Sequence, residues 1–355
     1  MPTISIPARA LQLAAHDDDN LLKVLRRHEV PIGYSCRRGE CGSCKCAIVS
    51  GSVALDACSE AALPPAQRAQ GLVLACCARV RGDVALRLID SDDYIASPQR
   101  RLLTRVAALE QLASEVFALR LHIDYVDRDG APFVFAAGQY ASLQVRNADG
   151  AWIARDFSMA GTPVQAEYDD LLEFHIRRNP QGAFSGLLGS VLVPGATVWV
   201  DGPHGSAHFR PRHAGALYAV AAGTGLGPML SIARTALDNG KLEPVRLYAG
   251  FRSADEVYGV AELDALARTF PQFAAQIVVE DGSLGRRGRV GDALLADTAA
   301  FVGAKVYLAG SPAMVDSVAA ALRARGVAPG DVHADAYYPP QAAGGGEPSP
   351  PRSIE

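Results

Sequence analysis

One loop limits what this chain can fold into: CRRGECGSC, running from Cys36 to Cys44. Cys36, Cys41 and Cys44 stand in a C-x4-C-x2-C arrangement, and Cys76 follows downstream. That is the spacing with which four thiolates hold a 2Fe-2S cluster. Gly39 and Gly42 let the backbone fold closely over inorganic sulfur, so that amide N–H groups face the negative charge. Two other readings of clustered cysteines compete. A structural zinc site more naturally shows two C-x2-C pairs across a long loop. Disulfides are out of place in a chain with no sign of secretion.

Spacing alone leaves the fourth ligand open, because Cys76 and Cys77 are adjacent. The strand-like run Leu72 to Cys76 contains Val73-Leu74-Ala75-Cys76, which resembles the V-L-A-C run carrying the last ligand of plant-type ferredoxin domains. The resemblance implies Cys76. Cys46 and Cys58 read as small packed side chains.

At 355 residues the chain has room for roughly two or three domains. Lys and Arg number 34 against 38 Asp and Glu, a net charge of −4, which points to neither nucleic acid nor an anionic membrane as partner. Seven cysteines clustered for metal fit a reducing compartment. The stretch from Met1 to Asn20 offers no apolar h-region after a basic start. The longest apolar stretch, Ala216 to Leu230, is interrupted by Gly223, Gly225, Gly227 and Pro228 and is unable to span a bilayer. A soluble, cytoplasmic, monomeric protein is expected.

Along the chain, residues 1–95 read as one mixed α/β unit. Ile4 and Ile6 alternate as in a strand, Asp19 or Asn20 caps a helix carrying Leu21, Leu22, Val24 and Leu25, and Ala47 to Leu55 reads as a hairpin turning at Gly51-Ser52. Resemblance to plant-type ferredoxins implies the β-grasp fold for this unit. Asp90 to Gln99 is a polar linker. Residues 100–210 are almost all short strands, an antiparallel barrel with one helix candidate starting at Ser185. From 214 to 338 strands alternate with helices, which predicts a doubly wound parallel sheet. The tail 339–355 has the composition of a disordered segment.

In the barrel, Arg155-Asp156-Phe157-Ser158 resembles the R-x-Y-S flavin motif of the ferredoxin–NADP reductase superfamily. Arg155 offers a donor fork for phosphate, Phe157 a stacking face, and Ser158 a hydroxyl for the flavin N5. Phenylalanine in place of tyrosine removes one hydroxyl contact, about 0.5–1.5 kcal/mol. The same resemblance implies that His175-Ile176-Arg177 and Gly182-Ala183-Phe184-Ser185 complete the FAD site, the latter through a turn opening a helix toward the pyrophosphate.

Gly223-Thr224-Gly225-Leu226-Gly227-Pro228 follows a strand and precedes a helix, and is similar to the superfamily's G-x-G-x-x-P turn, which implies nicotinamide-dinucleotide contact. Leu308-Ala309-Gly310-Ser311-Pro312 matches its C-G-P-P segment in part. Ala309 replaces the cysteine, and Ser311 replaces a proline. The resemblance also implies that Tyr337, in His333-Ala334-Asp335-Ala336-Tyr337, covers the other flavin face, with Asp335 as the nearby acid and Ser158 and Asp335 as the catalytic pair. Glu280 and Asp281 would repel a 2′-phosphate, whereas Arg252, Arg286 and Arg287 would attract it; NADH is expected, because reductases with such an N-terminal unit resemble NADH enzymes.

A hydride donor gives two electrons and a 2Fe-2S cluster takes one, so a flavin belongs between them. The whole of 1–338 resembles reductase components of bacterial multicomponent oxygenases. The GSP and HADAYY segments bring it nearest to those of Rieske-type aromatic-ring dioxygenases, terephthalate-type ones included. The implied partner is a terminal oxygenase, or an intermediate ferredoxin. Other readings are a reductase for a soluble diiron monooxygenase or for sugar deoxygenation, or a flavin and iron–sulfur redox sensor without turnover.

Overall fold

Period-two alternation of aliphatic residues sets the first sheet. In β1 (Thr3–Ile6), Ile4 and Ile6 are buried, and β2 (Leu11–Ala14) turns Leu13 inward beside them. Helix α1 (Leu21–Arg27) begins at Asn20, whose side chain accepts from the Lys23 amide at 3.2 Å, and buries Leu21, Leu22, Val24 and Leu25. β3 (Lys45–Leu55), α2 (Pro65–Ala69), β4 (Leu72–Leu74) and β5 (Ala78–Leu88) complete a five-stranded sheet of order β2-β1-β5-β3-β4. Only β1 and β5 pair in parallel among these described strands.

The expected hairpin at Gly51-Ser52 is not formed. β3 is one continuous strand, and both its halves pair with β5. Register shifts between Ile48 and Ser52 mark a bulge, which bends a strand without reversing it. Gly51, at φ 81°, lies so close to the Asp83 carbonyl that no side chain fits.

The computed structural model describes residues 1–89, 97–127, 132–147 and 149–338. The tail 339–355 and most of the expected linker lie outside the described residues. Two compact units result, Met1–Ser97 with Gly205–Ala207, and Pro98–His204 with the chain from His208. The inclusion of Gly205–Ala207 in the first unit has no signal in the sequence. It rests on Ser206, whose amide donates to the Tyr34 carbonyl at 2.9 Å and whose Oγ accepts from the Tyr34 amide at 2.8 Å.

In the second unit, β6 (Arg100–Ala113), β7 (Val116–Val126), β8 (Tyr140–Arg146), β9 (Trp152–Ser158), β10 (Leu171–Arg177) and β11 (Thr197–His204) form an antiparallel sheet of order β10-β7-β6-β11-β8-β9. Its edges meet at a Met159–Phe174 bridge, which curls it into a barrel around Leu119, Leu121, Leu143, Phe174 and Val200. A short helix α3 (Pro163–Tyr168) precedes β10, started by a Thr162–Gln165 capping box with Pro163 at its first turn. The helix expected from Ser185 shrinks to one 3-10 turn, Ser185–Leu187. Gly186 inside it and Gly189 at φ 81° just beyond it oppose continuation.

The remainder is the expected parallel sheet. β12 (Leu217–Ala222), α4 (Leu226–Asp238), β13 (Val245–Phe251), α5 (Val260–Thr269), β14 (Phe273–Val279), β15 (Arg286–Arg287), α6 (Val290–Asp297), β16 (Lys305–Gly310), α7 (Pro312–Ala324) and β17 (Val332–Ala336) alternate. The order is β15-β14-β13-β12-β16-β17. Successive strands are added on one side of β12 and then on the other, so the crevice beyond the carboxyl ends of β12 and β16 is where such sheets take ligands.

Candidate functional site

The cysteine loop forms a hydrogen-bond cradle. Cys36 Sγ accepts from the amides of Arg38 at 3.4 Å, Glu40 at 3.3 Å and Cys41 at 3.3 Å. Gly39 at φ 79° and Gly42 at φ 70° give the loop the left-handed turns these amides need. The thiols gather in two pairs. Cys36 and Cys41 share a thiol hydrogen bond, and so do Cys44 and Cys76. The Cys76 amide also donates to Cys44 Sγ at 3.5 Å. Asn20, the cap of α1, holds the Cys76 carbonyl at 2.7 Å, so the helix start and the fourth thiol are fastened together.

Hydrogen bonds from the Cys41 thiol and the loop amides pull the Cys36 thiol down to about 5, against the upward push of burial. Cys41 moves the other way, because it donates to Cys36 and is itself buried. In the second pair, hydrogen bonds from Cys76 lower the Cys44 thiol as well, toward the form that binds metal. Among the described residues no group of three or more His, Cys, Asp or Glu is gathered tightly enough for a single metal ion. Two thiol pairs around a loop of inward amides fit a two-iron group.

The second constellation lies where β9 of the barrel meets β17 of the parallel sheet. Ser158 Oγ donates to Asp335 Oδ2 at 2.7 Å, across 177 positions of sequence. The Tyr337 hydroxyl is in hydrogen-bond contact with Ser158, and its amide donates to the Gly310 carbonyl at 2.8 Å. Burial, reinforced by the Asp335 charge, pushes the Tyr337 phenol far above its ordinary range, so it stays protonated. Arg155 and Phe157 share the opposite face of β9 from the exposed Asp156. Phe157 packs on Phe184 with ring centroids 5.0 Å apart. A guanidinium, an aromatic face, a serine hydroxyl and a second ring make a donor set that fits a flavin.

The other residues expected at the flavin lie on β10 and in the turn that follows it. Ile176 and Phe184 are buried in the barrel core. Ser185 Oγ accepts from the Asn179 amide at 3.2 Å, and Gly182 closes that turn onto the Asn179 carbonyl at 2.8 Å, with Ala183 exposed at its tip. His175 lies between Glu173 Oε1 at 2.9 Å and the Tyr258 hydroxyl at 3.2 Å, spanning barrel and parallel sheet. Arg177 reaches Glu256 at 3.0 Å and lines the cleft described next.

A cleft of about 490 Å³ opens at the carboxyl ends of β12, β13, β14 and β16. Gly223, Arg252 and Ser311 line it, along with Arg177, Glu256, Glu280 and Arg289. Gly225 is pressed against the Ala309 carbonyl, while a Cβ on Gly227 would stand only 2.9 Å from Ala160 Cβ and 3.1 Å from His175 Nδ1. Leu226 and Pro228 are buried at the start of α4, and Thr224 sits in the turn before it. These glycines let α4 approach β16 and the barrel, and Gly223 is the one beside the cleft. Gly310 lies between Ala222 and Met314. Ser311, where the motif has proline, caps α7 by accepting from the Met314 amide at 3.4 Å, with Pro312 at the first helical position.

Family profiles match in the order of these parts: "2Fe-2S iron-sulfur cluster binding domain" over residues 8–81, "Oxidoreductase FAD-binding domain" over 104–209 and "Oxidoreductase NAD-binding domain" over 219–320. The ferredoxin–NAD(P)+ reductase component of the naphthalene 1,2-dioxygenase/salicylate 5-hydroxylase systems of Ralstonia sp. is 37% identical over 332 residues, 93% of this chain and 96% of that one. The chain belongs to this family of oxygenase-system reductases. The naphthalene 1,2-dioxygenase reductase component of Pseudomonas putida is 35% identical, over 90% and 94% of the two chains. Among solved structures, the Amycolatopsis cytochrome P450 reductase GcoB superposes with a TM-score of 0.78 at 30% identity, covering 96% of this chain and 99% of that one. The chain is thus an NAD(P)H-dependent flavin and iron–sulfur oxidoreductase. Among the described residues no helix is long and apolar enough to cross a membrane.

Sequence reasoning passed over two residues of the reductase that shape the cleft and the joint. Glu256 is buried and bridges Arg177 and Arg252, which reaches it at 2.6 Å. Burial pushes its carboxyl up, but the two guanidinium groups outweigh that and hold it below the usual range. Within Ser253-Ala254-Asp255-Glu256 it looks like any surface carboxylate, so the sequence carries no signal for it. Tyr258, fully buried against His175 and Phe251, likewise has none.

Proposed function

We propose that Cys36, Cys41, Cys44 and Cys76 hold the 2Fe-2S cluster, that Arg155, Phe157, Ser158 and Tyr337 hold FAD, and that NADH enters along Gly223, Arg252, Gly310 and Ser311. The acceptor is a terminal aromatic-ring-hydroxylating oxygenase, or a ferredoxin ahead of one. On this reading the reductase acts as a monomer in the cytoplasm.

The contact between Ser158 and Asp335 carries the proposal, because it joins the strand that ends the flavin motif to the strand that ends the nucleotide sheet. The chemistry that bound FAD and cluster supply is the division of a hydride's electron pair into single electrons. The chain's own part is to orient and to hold protons. Asp335 keeps the Ser158 hydroxyl proton directed at Oδ2, and Tyr337 keeps its own, so two neutral hydroxyl groups stand beside the Asp335 carboxylate at the joint. Arg177 and Arg252 are fixed by Glu256 at the cleft wall, where phosphates gain from charge-assisted bonds.

NADH is favoured over NADPH by the charges around the cleft. Glu280 lines it, whereas Arg286 is engaged with Asp297 at 2.7 Å. A diiron monooxygenase partner is the second reading, supported by 30% identity to the phenol 2-monooxygenase reductase component of Pseudomonas sp.. The test uses reconstituted protein showing flavin and cluster absorbance. NADH should bleach both; Cys41→Ser should keep flavin bleaching and lose transfer to cytochrome c. Full-rate transfer in that variant would remove the cluster from the exit path, and failure to support any aromatic-ring oxygenase would remove the proposed partner.

A further inference from the structure

Three cysteines have no place in the cluster's ligand set: Cys46, Cys58 and Cys77. Cys46 is fully buried in the sheet. The other two meet on the cluster loop. A Cβ placed on Gly39 would lie 2.5 Å from Cys77 Sγ and 2.8 Å from Cys58 Cβ, so both side chains press on the same loop carbon. The Cys77 thiol is in hydrogen-bond contact with Cys58. Their backbones are fastened as well: the Asp56 amide donates to the Cys77 carbonyl at 2.8 Å, and the Ser59 amide to the Gly39 carbonyl at 3.0 Å.

The two thiols are unequal. Cys77 is 5% exposed, while Cys58 is half-buried and has Arg68 Nη2 3.1 Å from its sulfur. Cys58 is therefore the thiol that a dissolved oxidant reaches first, with a guanidinium beside it. Cys76 Sγ is 3.6 Å from Cys77 Sγ, but Cys76 is already bonded toward Cys44.

We propose that Cys58 and Cys77 form a reversible dithiol, oxidised by hydrogen peroxide, beside the cluster loop and apart from the four cluster-holding thiols. This rests on Cys76, not Cys77, being the fourth ligand. The Cys58 sulfur attacks peroxide, the O–O bond breaks, and water leaves with Cys58 as sulfenic acid. The Cys77 sulfur then attacks the Cys58 sulfur, the S–O bond breaks, and the Cys77 proton departs with the hydroxide as a second water. Two thiols are oxidised to one disulfide and one peroxide is reduced to two waters. The bond ties the segment around Asp56 to the start of β5 and traps Gly39 beneath it. An external dithiol reverses it by exchange.

The test uses the cluster- and flavin-loaded protein. It is treated with graded hydrogen peroxide, its free thiols are alkylated, and it is digested with trypsin. Cleavage after Arg68 separates Cys46–Arg68 from Ala69–Arg79. The expected product is these two peptides joined through Cys58 and Cys77, lost with dithiothreitol, absent in Cys58→Ser and retained in Cys46→Ser, with visible cluster absorbance kept. Cys77→Ser should assemble the cluster with an unchanged spectrum. If Cys77→Ser fails to assemble it, the ligand reading is wrong and the proposal falls with it. If Cys77→Ser assembles normally but wild type gives no Cys58–Cys77 peptide before the cluster bleaches, or gives a Cys76–Cys77 link instead, the dithiol alone is overturned.

Discussion

Replacing Glu173 with glutamine tests how the flavin barrel is joined to the parallel sheet. Glu173 is mostly buried on β10, with Arg120 Nε at 2.6 Å and His175 Nε2 at 2.9 Å. Burial alone would raise its carboxyl. The hydrogen bonds from His175 and Arg120 overcome that and bring it from 4.5 to about 2. A folded value below the unfolded one means that the carboxylate stabilises the fold fully above pH 4.5. That contribution is lost as pH falls toward 2. The difference corresponds to about 3 kcal/mol. Wild type should therefore lose about 3 kcal/mol more than Glu173→Gln between pH 5 and pH 2, read from urea midpoints at each pH. The variant should also be less stable at pH 7, since it leaves Arg120 and His175 with a weaker acceptor. Parallel pH curves for the two proteins would refute the argument.

Ser158→Ala removes the donor to the buried Asp335; stopped-flow flavin reduction should slow by about tenfold with little change in NADH Kd, and an unchanged rate would take Ser158 out of the mechanism. Gly227→Ala drives a methyl against Ala160 and His175, and should lower unfolding free energy by about 1–3 kcal/mol, read by denaturant titration; a neutral result would mean that α4 has slack at its start. Glu280→Gln withdraws a negative charge from the cleft wall. The kcat/KM for NADPH should rise by about tenfold while that for NADH changes little, and equal changes for both would place Glu280 away from the 2′ position.

What the sequence made legible follows from where the information is local. The cysteine loop, the strand–turn–helix around Gly223 and the alternation of strands with helices after 214 are short-range patterns, and all three have their expected elements. Ser158, Asp335 and Tyr337 belong to two separate motifs, and the fold brings them together. Helix α3 escapes the strand pattern of the barrel, although Thr162-Pro163-Val164-Gln165 carries both a capping box and a proline at the first turn. The expected hairpin at Gly51 shows the reverse error. A glycine between two aliphatic runs signals a turn or a bulge equally well, and only the partner strand β5 decides. Glu256 and Tyr258 were beyond reach because their contacts depend on residues distant in sequence, Arg177 and His175.

The junction between barrel and parallel sheet joins an apolar contact, in which Val116 and Ala137 pack into the sheet's core, to a set of directional polar contacts. Ser158 meets Asp335, His175 meets Tyr258, Arg177 meets Glu256, and Ser231 Oγ donates to the Gly161 carbonyl at 2.6 Å. Apolar burial would bind the two parts as firmly but would tolerate sliding, since it has no preferred direction. A buried hydrogen bond loses most of its worth once its angle or length is wrong, and the orphaned group then costs about 1–3 kcal/mol. Four such contacts penalise displacement of β9 against β17 more steeply than they add net stability. A hydride donor and its acceptor need that kind of positional restraint, because small displacements of reacting atoms cost rate far out of proportion to binding. Gly225 and Gly227 serve the same end by letting α4 come close enough for Ser231 to reach across.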